Sequence, residues 1–202
     1  MPYHRHPPIP VTLVLPAEPP RQDEIDAVLM AADAVVAQAG RAGVTLILKG
    51  SRSQKALAQG WDKLSDYGRL QHLTTKQIAQ KVDWCIRHDW LCIEYDHGIP
   101  LLVHSPQGWE RVKTLWVARV LEWLEEWSAA GQSQQVWLRL EHIHREIKLR
   151  VLETIAHEQR VELAPVLRAW FPHEVRAVRE AINHTLQALG QRTLSHPKSP
   201  RA

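Results

Sequence analysis

The sequence predicts a mainly α-helical chain that carries one small β-hairpin. Three observations predict it. Apolar residues recur at three- and four-residue steps over most of the length, as along one face of a helix. Two short apolar runs, Leu91–Tyr95 and Ile99–Val103, flank Asp96-His97-Gly98, and three intervening residues with a Gly signal a hairpin. Gly40, Gly50, Gly60, Gly131 and Gly190 fall at the ends of helical periods, where they act as stops.

Taken in order, residues 1–20 hold seven prolines and read as an extended arm, with a short edge strand over Val11–Leu15. Asp23 to Gln38 reads as the first helix, its stripe formed by Ile25, Val28, Leu29, Ala32, Val35 and Val36. Val44 to Lys49 is apolar and β-branched, so a strand or the buried core of a short helix both fit. Arg52 to Ala58 makes a short helix, with Ser51 or Ser53 as its cap. Thr74 and Gln77 form a capping box, stapled by Leu73 and Ile78, for a helix that continues through Val82, Cys85 and Ile86. Helices followed by a hairpin, in this order, make a winged helix over residues 21–108.

Ser105 and Pro106 start a helix to Ala130, with Trp109, Trp116, Trp123 and Trp127 on one face. A second long helix is expected from Gln135 to Glu158, then a short one opened by Pro165 and a last one opened by Pro172. Residues 109–190 thus form an α-helical region whose helix lengths are HEAT-like, and 191–202 a disordered tail.

Composition narrows the function. The chain has 202 residues, 45% hydrophobic and 23% charged, which gives one domain or two small ones and no space for a large ATP-driven machine. Two cysteines fit a reducing compartment, and no apolar run approaches the ~18 residues of a membrane span, so a cytoplasmic protein with no membrane partner is expected. The net charge is only +3, but residues 41–90 hold nine Lys/Arg against four Asp/Glu. A local basic face of this kind suits a nucleic acid or a plain solvated surface.

The residues at 45–109 carry a resemblance. Leu48-Lys49-Gly50-Ser51-Arg52-Ser53-Gln54-Lys55, then Gly60-Trp61-Asp62-Lys63-Leu64 and Tyr67-Gly68, resemble the RQC domain, the winged helix that follows the motor in RecQ-type DNA helicases. His88-Asp89-Trp90-Leu91, the hairpin and Ser105-Pro106-Gln107-Gly108 extend it. The whole chain resembles the small stand-alone bacterial RQC-minor proteins. The resemblance implies DNA as partner (a duplex end, fork or junction), with a helicase, nuclease or ATPase as protein partner. It also implies a nucleoid-associated location and a role in DNA repair. The motor and the four-cysteine zinc module of relatives have no counterpart in these residues.

The resemblance implies that Ser51, Ser53 and Lys55 make the family's backbone contact, with Lys49, Arg52 and Gln54 beside them. Hydroxyls at a helix N-terminus suit a phosphate, and an ordinary capped helix with solvated charges is the alternative. Lys76 and Lys81 are the basic candidates on the capped helix. Tyr95 and His97 lie at the hairpin tip, where relatives place an aromatic against the terminal base pair; Tyr95 packed on Trp90 or on the arm is the alternative. Trp170 and Phe171, beside Pro172, are expected as a partly exposed partner-binding patch. Cys85, His88, Cys92 and His97 have compact spacing, but Cys85 and Cys92 sit among apolar neighbours, so no metal and no cofactor is expected. No P-loop, metalloprotease or dinucleotide motif occurs, and no catalytic residue is assigned. The expectation is a non-enzymatic DNA-structure binder, with a protein-interaction adaptor or a winged-helix transcription regulator as rivals.

Overall fold

The computed structural model describes residues 10–131 and 136–195. The first nine residues of the proline-rich arm, the expected helix start at Gln135 and tail residues 196–202 lie outside them. The chain divides into two compact units, Met1–Val112 and Lys113–Ala202.

The first unit contains α1 (Gln22–Asp33), α2 (Arg41–Lys49), α3 (Gln54–Ala58) and α4 (Thr75–Arg87), then β1 (Leu91–Asp96) and β2 (Ile99–His104). The strands form a two-stranded antiparallel sheet with Leu91 opposite His104 and Asp96 opposite Ile99. His97 and Gly98 alone make the turn, both at positive φ as such a tight hairpin requires. Leu29, Ile47, Leu48, Ile78, Val82, Leu91 and Leu102 are fully buried, so α1, α2, α4 and the wing share one core. This is a winged helix. α5 (Pro106–Ala130) follows it, and the unit boundary falls inside that helix.

The ambiguous run at 44–49 is helical. Val44, Ile47 and Leu48 recur at helical spacing and are fully buried, and Gly50 ends the helix in the left-handed conformation. The amide of Ser51 reaches back to the Leu46 carbonyl, 3.0 Å, completing a Schellman close. Residues 68–70 add to this close: Gly68 gives the Ile47 carbonyl a second donor beside Gly50, and Leu70 donates to Leu48, at 2.8 and 2.9 Å. A strand has no use for that arrangement.

α1 stops at Asp33, earlier than Gln38. The backbone of residues 37–39 turns away to pair with the wing: Ala37 donates to the Leu102 carbonyl and Leu102 donates to that of Ala39. Gly40 follows, so close to β2 that an added Cβ would stand 2.4 Å from the Pro100 carbonyl oxygen. The strand expected at Val11–Leu15 is absent. That segment is extended and hangs on side chains instead, with the Val14 amide donating to Asp83 Oδ2, 2.8 Å, and the Arg41 guanidinium to the Thr12 carbonyl.

The second unit contains α6 (Val136–Leu140), α7 (Arg145–His157), α8 (Ala164–Trp170) and α9 (Arg176–Ala188). Its core is the packing of α7 on α9 through Ile147, Val151, Ile155, Val178, Ile182 and Leu186. The long helix expected from Gln135 to Glu158 is broken at residues 141–144. His144 is a cap there, its ring accepting from the Glu146 amide, and α7 starts afresh. Pro172 lies in a one-turn 3-10 segment, Phe171–His173, and the last helix begins only at Arg176.

Candidate nucleic-acid interface

α3 is a five-residue helix anchored by one buried side chain, Ala56. Its N-terminus is organised by two hydroxyls. Ser53 is the cap, its Oγ accepting from the Ala56 amide, and Ser51 Oγ accepts from the Ser53 amide, each at 3.3 Å. Both serines use lone pairs in these bonds, so both O–H protons remain available to donate. Arg52, Ser53, Gln54 and Lys55 are all exposed. A point where hydroxyls, a helix start and two cations converge is suited to a phosphate oxygen.

The support below is specific. Tyr67 Oη donates to the Ser51 carbonyl, 2.9 Å, and a Cβ on Gly50 would stand 3.0 Å from Gly68 Cα. The Leu-Lys-Gly-Ser and Tyr-Gly motifs, separate in sequence, are therefore one clamp. Lys49 belongs to that clamp: its Nζ donates to the carbonyls of Gln71 and Leu73, at 2.7 and 2.9 Å. Two of its three N–H groups already have partners.

α4 offers less than its sequence suggests. Lys76 is exposed. Lys81 is largely covered and pairs at 2.7 Å with Glu24, itself 4% exposed at the side chain. Burial drives the Glu24 carboxyl up, but the Lys81 bond and the Arg21 amide outweigh it and hold the group below its ordinary value. Lys81 is thus a structural cation. Asp83, also buried, takes the Arg41 guanidinium, and Gln80 donates to the Leu15 carbonyl. Arm residues Val14 and Leu15 thus bond to this side of α4.

At the wing tip Tyr95 is 46% exposed and lies opposite Pro100, while His97 is 91% exposed and bonds through Nδ1 to Asp96. The structure therefore presents Tyr95 and His97 together at one end of the hairpin. Cys85 is buried on the α4 stripe and burial pushes its thiol up to about 12, whereas Cys92 is exposed on β1. Among the described residues no group of three or more His, Cys, Asp or Glu is placed to hold a metal.

Ser105 Oγ accepts from the Gly108 amide, 3.0 Å, and donates to the Asp89 carbonyl. A Cβ on Gly108 would lie 1.9 Å from the Trp90 carbonyl oxygen, so glycine alone fits. This is the structural reason for Ser-x-x-Gly after the wing.

Residues 18–114, just under half of the chain, match the RQC domain family. An RQC-like winged-helix domain is present. Its match agrees with the clamp at Lys49–Gly68 and the Ser105–Gly108 start of α5. The chain is also 31% identical, over 109 residues, to the ATP-dependent DNA helicase RecQ of Bacillus subtilis (strain 168). That alignment covers 54% of this chain but only 18% of the helicase. No solved structure matches the chain significantly. RQC domains are known as non-catalytic DNA-binding modules.

In the second unit the expected patch at Trp170 and Phe171 does not exist. They are 0% and 4% exposed, and Trp170 Nε1 donates to Glu174, 2.7 Å, which also holds the buried Lys148. Trp170 and Lys148 thus share one carboxylate beneath the Pro172 corner. Among the described residues no helix is long and apolar enough to cross a membrane.

Proposed function

We propose that the protein is a non-enzymatic binder of DNA structure, holding duplex ends, forks or junctions by their phosphate backbone. The observation that carries this reading is the turn Ser51–Lys55 in an RQC-like domain, exposed from Arg52 on, with two serine hydroxyls, Arg52 and Lys55 on a clamped support. Tyr95 and His97 at the wing tip would meet the exposed base pair of an end. Lys76 would add a backbone contact. The protein acts beside a helicase or nuclease in DNA repair, and its affiliation with the RQC-minor group is part of the same proposal. Both rest on the sequence resemblance.

Operator reading by α4 is disfavoured, because Lys81 and Asp83 are paired and Val14 and Leu15 of the arm bond to Asp83 and Gln80. The adaptor reading lost its patch when Trp170 and Phe171 proved buried.

Titration of blunt duplex, forked duplex and single strand at two salt concentrations tests the proposal. Affinity should fall with salt, favour ends or forks, and drop at least tenfold in Ser51→Ala/Lys55→Ala. Absence of binding to all three at low salt would overturn it, and preference for one duplex sequence would return α4 to consideration.

A further inference from the structure

A cleft of about 500 Å³ opens in the winged-helix unit between arm residues 10–12, the turn that precedes α2, α3 and the wing. It lies within the ~300–1,000 Å³ range of small-molecule sites. Its floor is the indole of Trp61, 7% exposed, packed so closely on Gly43 that an added Cβ would meet the ring at 3.0 Å. The wing supplies an apolar wall through Ile93, Ile99 and Pro100. Its polar side chains are Thr12, Gln38, Gln59, Lys55 and Arg41, the last paired with buried Asp83, and no Asp or Glu lines it. α2 begins there with neither a side-chain cap nor an acid in its own first turn.

We infer that this cleft receives the unpaired terminal nucleotide of a DNA strand. The inference rests on the DNA-binding reading and deepens it. A base is flat and apolar on its faces but carries donors and acceptors on its edges. The Trp61 floor and wing wall suit the faces, and the carboxamides of Gln38 and Gln59, each donor and acceptor at once, suit the edges. The acid-free lining and Lys55 suit the attached phosphate. Lys55 decides the occupant. It stands both on the exposed turn of α3 and on the rim of the cleft, so a backbone gripped by α3 arrives at the cleft mouth.

Fluorescence anisotropy on three proteins tests this: wild type, Ala42→Trp, which fills the cleft from an exposed position of α2, and Gln59→Ala. The probes are a blunt duplex, the same duplex with one unpaired nucleotide at the 5′ or the 3′ end, and free deoxyadenosine monophosphate. Wild type should bind one overhang at least fivefold more tightly than the blunt end. Both variants should lose that preference while keeping blunt-end affinity, with unchanged thermal midpoints. Excess nucleotide should erase the preference without displacing the blunt duplex. Equal wild-type affinity for blunt and overhanging ends overturns the inference. So does a preference that survives in both variants, a free nucleotide that binds as tightly as the overhang, or an acidic peptide that competes in its place. If wild type binds no duplex at all, it is the underlying DNA-binding reading that fails.

Discussion

Tyr67 Oη donates a hydrogen bond of 2.9 Å to the carbonyl of Ser51, sixteen residues earlier, and so ties the candidate phosphate turn to the segment that closes α2. The bond fixes where α3 begins. Tyr67→Phe keeps the ring and removes the donor, leaving a partly buried carbonyl to find water. Denaturant unfolding should show a loss of about 1 kcal/mol. Affinity for blunt duplex should fall as well, because Ser51 and Ser53 are then less well held. Unchanged affinity at the expected destabilisation would separate the clamp from DNA contact.

Gly108 is the tightest backbone approach among the described glycines. Gly108→Ala pushes a methyl into the Trp90 carbonyl, and rearranging it should cost about 1–3 kcal/mol. Ser105→Ala, which removes the cap of the same turn, should cost about 1 kcal/mol. Thermal unfolding of the two variants beside wild type checks the order.

Glu24 and Lys81 link α1 to α4 and give the fold an acid-sensitive joint. The native Glu24 carboxyl is held below its ordinary 4.5, so its contribution is complete above that value. It is lost as pH falls through the lower native value, where the unfolded chain already binds the proton. Glu24→Gln should flatten the fall in stability below about pH 4.5. Lys81→Met leaves the carboxylate buried without its cation and should cost on the order of 2–3 kcal/mol at neutral pH. A phosphate contact at Lys81 would instead cost affinity with little change in stability.

The two cysteines should react very differently. Cys92 is exposed, whereas Cys85 is buried with its thiol raised to about 12. At neutral pH a thiol reagent should modify one equivalent of cysteine in the folded protein, at Cys92, and a second only on denaturation. Peptide mapping of the first product identifies the site.

Much of this protein was legible because it is local. The capping box of Thr74 and Gln77, the left-handed stop at Gly50, the hairpin at His97-Gly98 and the start of α5 at Ser105 each depend on residues a few positions apart. Spacing alone carries such information. The order of these elements determined the winged helix, and the motifs on them determined the family resemblance.

Tertiary structure decided what depends on distant partners. Leu102 ended α1 by drawing residues 37–39 into backbone pairing, and the amides of Gly68 and Leu70 made 44–49 a closed helix rather than a strand. Among the candidate cations, Lys49 and Lys81 were committed to carbonyls and to Glu24, leaving Arg52, Lys55 and Lys76 exposed. Trp170 was drawn inward by a glutamate that also holds Lys148. A sequence period reports which face of an element is apolar. It does not report which buried polar group that face will have to satisfy, and that pairing is what separated the surface residues from the structural ones.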